Sequence, residues 1–126
     1  MRRLQVWFLA SVCAIASVAA TRAETPQTVT VTGQVIDLVC YSRDKANVGM
    51  DHDDGRVCAM ACVKWEGNPV GIVTTDGKVY QFTGGIVANN NSKIAPFVAR
   101  KVTVTGVVSE KDGMAMLSAN DVAPAK

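Results

Sequence analysis

Thr28-Val29-Thr30-Val31-Thr32-Gly33-Gln34-Val35-Ile36-Asp37-Leu38-Val39-Cys40-Tyr41 decides how the rest of the chain reads. Its first half alternates. Val29, Val31 and Gly33 fall on one side of a strand, and Thr28, Thr30 and Thr32 on the other. After Gly33 the apolar positions change parity, to Ile36, Leu38 and Cys40. A one-residue change of phase turns every later side chain to the opposite face, so the strand must bulge or bend, and glycine permits it. The stretch predicts one long bent strand from Thr28 to Tyr41 that serves two sheet faces. Val102-Thr103-Val104-Thr105-Gly106 echoes Val29 to Gly33 and predicts a second strand bent in the same way. The residues after each copy differ, so the echo is not a repeat domain.

Outward from these strands, Val70 to Thr75 and Lys78 to Thr83 read as two strands joined by Asp76-Gly77, a pair that supplies the positive φ angles of a tight hairpin. Gly84-Gly85 breaks the pattern. A short helix is expected over Ser92 to Arg100, capped from Asn89 to Ser92 and limited by Pro96. Lys101 to Glu110 is a strand, Lys111-Asp112-Gly113 a turn, and Met114 to Ala119 the last strand. The tail from Asn120 is expected to be loose. Between the first two strands, Ser42 to Gly55 reads as a loop carrying Asp44, Asp51, Asp53 and Asp54. Arg56 to Trp65 reads as a short helix, with Asp53 or Asp54 as its cap and Gly67-Asn68-Pro69 as its stop.

The expected fold is therefore mainly β. It is a five-stranded barrel with a short helix between strands 3 and 4 and a Cys-bearing helical insertion, residues 41–68, between strands 1 and 2. This order resembles the OB-fold barrel and, more narrowly, small bacterial periplasmic proteins of that fold. A fold of this kind implies no particular activity.

The N-terminus reads as a secretory signal peptide over residues 1–23. Arg2 and Arg3 precede an apolar run from Val6 to Ala20, and Thr21-Arg22-Ala23 places small residues where a signal peptidase needs them. The run is short and Ala-rich for a span, which takes about 20 strongly apolar residues. Cys13 falls within the discarded run. Cleavage leaves 103 residues as one domain, residues 24–126, with no stable membrane span, in the periplasm or outside the cell. It also removes three arginines. Ten basic residues then face eleven acidic ones, a net charge of about −1, so no basic stripe is left for nucleic acid.

The insertion concentrates the chemistry. It and the strand end leading into it hold the three remaining cysteines and the one histidine: Cys40, His52, Cys58 and Cys62. Cys58 and Cys62 are four apart, which puts both thiols on one helix face, one turn from each other. Three sulfurs and an imidazole suit tetrahedral zinc, and soft sulfur donors also suit Cu(I). Cys40-Tyr41, His52, Cys58-Ala59-Met60-Ala61-Cys62 and Gly67-Asn68-Pro69-Val70-Gly71 together resemble a motif of small secreted proteins of this barrel type, a group without an assigned activity. The resemblance implies a metal or redox site.

Other readings stay open at this level. In an oxidising compartment Cys40 would pair with Cys58 or Cys62, leaving an odd thiol, and the domain would be a non-catalytic module for a protein or small ligand. A thiol redox role is the third reading, weakened by the lack of a Cys-x-x-Cys. His52 in an Asp-rich loop also reads as merely solvated. Met50 and Met60 are thioether candidates, with core packing favoured for Met60. Asp51, Asp53 and Asp54 lack the spacing of a calcium loop. Tyr80 and Phe82 read as barrel core, and Trp65 as the residue that docks the insertion. Asp37 reads as solvent-facing or as a holder of the adjacent loop. With no hydrolytic constellation in view, the sequence predicts a small binding protein, favouring zinc or copper as its cofactor, and no enzyme.

Overall fold

A computed structural model describes residues 25–46 and 55–126. The segment read as a signal peptide lies outside the described residues. So do His52 and its neighbours Met50, Asp51, Asp53 and Asp54, and with them the expected cap of the Cys-bearing helix.

The framework is β1 (Gln27–Asp37), β2 (Val70–Thr74), β3 (Val79–Thr83), β4 (Lys101–Lys111) and β5 (Met114–Ser118). Their order is β1-β2-β3-β5-β4, and β4 returns to β1, closing a five-stranded barrel. The β3–β5 pairing is parallel and the others are antiparallel. This is the OB-like arrangement expected from strand order. The insertion lies between β1 and β2, and a chain of helical turns joins β3 to β4.

The echoed segments are partners. Val29 faces Gly106, Thr30 faces Thr105, Val31 faces Val104, Thr32 faces Thr103 and Gly33 faces Val102. Because the side-chain period is two, the threonines share the outer face and the valines the inner one. Thr30 and Thr105 hydroxyls are 2.8 Å apart, and those of Thr32 and Thr103 2.9 Å. Val31, Val102 and Val104 are buried.

Each copy ends in a glycine for the same reason. At Gly33 the strand begins to pair with β2, and a Cβ there would overlap the Val73 carbonyl. At Gly106 a Cβ would overlap the Ser118 carbonyl of β5. Both strands are therefore shared between two neighbours. The expected change of parity after Gly33 does not occur within the strand: Val35 keeps the inward parity and lies in the core, Ile36 beside it is also buried, and Leu38 and Cys40 belong to a helix.

Val35, Ile72, Phe82, Ile86, Ile94, Val98 and Leu117 fill the barrel interior with the β1 and β4 valines. Tyr80 and Phe82 are buried as expected.

The structure corrects several boundaries. β1 ends at Asp37, and Leu38–Arg43 form a helix, α1, where continued strand was expected. No regular helix spans Ser92 to Arg100. The β3–β4 connection is instead a 3-10 turn at Gly84–Val87, a left-handed turn at Asn89 to Asn91, and a 3-10 turn at Ala95–Phe97. Asn89 to Asn91 are not a cap but three successive residues of φ 52°, 55° and 59°, a conformation asparagine tolerates better than most residues. At the β2–β3 hairpin only Gly77 has positive φ, since the loop is longer than a two-residue turn. The tail is also less loose than expected: Ala123–Pro124 (β6) pairs with Val102 and Thr103 of β4. Among the described residues no helix is long and apolar enough to cross a membrane.

Candidate thiol site

Asp37 makes the first corner of the site. Its carboxylate accepts from the backbone N–H of Val39 at 2.8 Å and of Cys40 at 3.3 Å. Those are orphan donors of a helix's first turn, so a carboxylate at this point converts strand into helix. Cys40 is thereby lifted off the strand end and placed in α1. The Asp37 side chain is buried, 4% exposed. It holds the adjacent loop rather than facing solvent.

The second corner is α2 (Gly55–Ala61), which widens into a π-helical turn at Cys62–Glu66. Ala59 and Val63 are buried in the core and dock this segment on the barrel. Cys58 and Cys62 precede them by one position each, so both thiols lie beside the docking seam. Cys58 is exposed and Cys62 half-buried. The wide turn ends at Gly67, left-handed at φ 72°, and the N–H groups of Gly67 and Asn68 both donate to the Cys62 carbonyl.

Asn68 joins the two corners. Its side-chain amide donates to the second Asp37 oxygen at 2.9 Å. Its own carbonyl accepts from the Asn91 amide at 3.1 Å, and Asn91 also donates to the Val63 carbonyl at 2.9 Å. Asn90 donates to the Lys64 carbonyl. The left-handed asparagine turn thus satisfies carbonyls that a widened helix leaves open.

The three thiols are unpaired. Cys40, Cys58 and Cys62 are all free, and neither expected pairing of Cys40 is formed. Burial, then Glu66, Cys58 and Asp37, push the Cys62 thiol up to about 11. Burial also raises Cys40, with Asp37 and Cys58 adding to it and Arg43 opposing. Among the described residues no three Cys, His, Asp or Glu side chains converge closely enough to hold an ion as they stand. Cys40 and Cys62 are thus soft sulfur donors held in the thiol form, and so poor nucleophiles until something displaces their protons.

Two sequence expectations near the site need correction. Trp65 does not dock the insertion, being 75% exposed, because Ala59 and Val63 already fill the seam. Met60 is half-buried rather than core, lining a pocket of about 100 Å³ with Trp65, Ala95 and Pro96. That volume is below the several hundred Å³ usual for small-molecule sites. A roomier cleft of about 540 Å³, lined by Thr28, Thr103, Thr105 and Ser118 among others, is open and lies along β4 and β5 rather than at the insertion. Sequence reasoning does not single out Asp37, Asn68 and Asn91 as site residues. The usable signal is Asp37 itself, a residue that caps helices three positions before a cysteine.

No protein-family model, curated protein or solved structure matches the chain.

Proposed function

We propose that this is a small secreted or periplasmic barrel protein whose insertion binds a transition metal, zinc or copper, through Cys40, Cys58 and Cys62. One observation supports the reading: three unpaired thiols flank one corner of the barrel, two of them one turn apart on α2 and the π-helical turn and the third on α1. The Asp37–Asn68 hydrogen bond joins the start of α1, which carries Cys40, to the end of the turn that carries Cys62. A barrel needs no such cluster, since none of the three belongs to its core. Sulfur-rich sets suit zinc and Cu(I) alike. A bound cation would displace the thiol protons and draw Cys40 toward the other two. His52, outside the described residues, is the fourth donor suggested by sequence. The N-terminal apolar run carries the proposed export.

The raised thiols weigh against exchange chemistry, which runs through the thiolate. The small pocket beside Trp65 gives little support to a small-molecule site at the insertion.

The test is native mass spectrometry on protein exported to a bacterial periplasm and purified without chelator, with a denatured mass to count thiols. One zinc or copper ion on a chain with three reduced cysteines is expected, lost in Cys58→Ser and weakened in His52→Ala. A metal-free mass two hydrogens light would mean a disulfide and would replace this reading with the binding-module one.

A further inference from the structure

We infer that Asn68 is a positioning residue that couples the two halves of the thiol site, holding Cys40 in register with Cys58 and Cys62. This deepens the metal-binding reading and rests on it. Cys40 sits on α1, Cys62 on the π-helical turn, and more than twenty residues of sequence separate them. Among the described residues no backbone ladder joins α1 to that turn directly; Asn68 contacts both. Its backbone N–H donates to the Cys62 carbonyl at 3.3 Å. Its side-chain amide donates at 2.9 Å to Asp37, whose other oxygen holds the Val39 and Cys40 N–H groups.

Asn68 is itself fixed. Its carbonyl accepts from Asn91, which is 7% exposed and belongs to the barrel's own β3–β4 connection. A hydrogen-bond chain therefore runs from the barrel through Asn91, Asn68 and Asp37 to Cys40. Every link is part-buried, where hydrogen bonds to a charged acceptor are strong and geometry is well defined. Asp37 is the partner one bond removed from Cys40, and such partners orient a ligand and typically matter 10- to 100-fold in affinity; Asn68 in turn orients Asp37. Asn68 reads in sequence as a helix stop between Gly67 and Pro69. A stop needs no side-chain amide, so its bond to Asp37 is a second task.

Asn68→Ala separates the tasks, because it keeps the backbone N–H to Cys62 and the carbonyl facing Asn91. Two readouts are taken. In metal-free protein, alkylation is followed by mass mapping at each cysteine. Cys40 should react several-fold faster in the variant, with Cys58 unchanged. In a Co(II) titration the variant should bind about 10- to 100-fold more weakly. The thiolate-to-cobalt absorption per bound ion should fall by about one third, as expected when three sulfurs become two. A merely structural role would lower the melting temperature without changing that per-ion intensity.

Unchanged Cys40 reactivity together with an unchanged cobalt spectrum would overturn the inference. If wild-type protein binds no cobalt, zinc or copper, the metal reading fails, and the alkylation arm alone decides whether Asn68 positions Cys40. If Asn68→Ala does not fold, Asn68→Ser, too short to reach Asp37, takes its place. Failure of both to fold would make Asn68 a fold residue and overturn the proposal.

Discussion

Cys62 shows how one residue's surroundings decide its chemistry. Its ordinary value near 9.0 is raised to about 11, first by burial and then by Glu66, Cys58 and Asp37. The folded protein therefore holds this proton more tightly than the unfolded chain. Such a group contributes stability that is fully present below pH about 9 and is lost as pH rises through about 11. Without metal, the melting temperature of wild type should fall between those pH values more steeply than that of Cys62→Ala, with lysines and tyrosines common to both as the control. Equal slopes would mean that Cys62 is not held protonated. The same shift predicts slow alkylation of Cys62 near neutrality, rising only in strongly alkaline buffer. Fast labelling at neutral pH would revive the thiol-exchange reading.

At the scale of elements, β1 and its successor α1 divide what pattern alone can reveal from what it cannot. Alternation announces β1, and the repeated Val-Thr-Val-Thr-Gly announces β4, since period-two burial writes itself into residue type. That the two copies pair with each other is not legible, because register depends on a contact between segments far apart in sequence. Gly33 is legible as a bend, but its close approach to the Val73 carbonyl is not. Gly33→Ala should destabilise the barrel by about 3 kcal/mol, the top of the range for overpacked interiors, measured by urea denaturation. A loss below about 1 kcal/mol would show that β2 can give way there.

The α1 helix escapes the sequence pattern because Leu38, Val39 and Cys40 continue a strand-like apolar run, and a single capping carboxylate overrides it. Asp37→Ala removes that cap and its bond to Asn68. It should cost about 1 to 3 kcal/mol, the cap's share being about 1, read from the same denaturation curves. The candidate cysteines can be named from spacing, whereas Asn91 binds backbone carbonyls and Asn68 a carboxylate distant in sequence, and neither leaves such a pattern.

At the scale of the whole molecule, barrel and site are built from different residues, and this separation is testable. Val35, Ile72, Phe82, Ile86, Ile94, Val98 and Leu117 fill the interior, and no described cysteine is among the core side chains. The insertion touches that core through Ala59 and Val63. Replacing Cys40, Cys58 and Cys62 together by serine should therefore leave the far-ultraviolet spectrum and the cooperativity of metal-free unfolding unchanged, with all metal binding gone. Val63→Ala should behave in the opposite sense. Val63 is fully buried, and truncating it leaves the thiols in place but opens the seam. The cost is on the order of 1 to 3 kcal/mol, between that of losing one methyl and that of a Leu→Ala cavity. Part of that loss should reappear as weaker metal binding, because α2 and the π-helical turn would no longer be held against Asn91. The two variants together distinguish a barrel that carries a site from a barrel that depends on one. If the triple serine variant melted as low as Val63→Ala, the thiols would be structural staples.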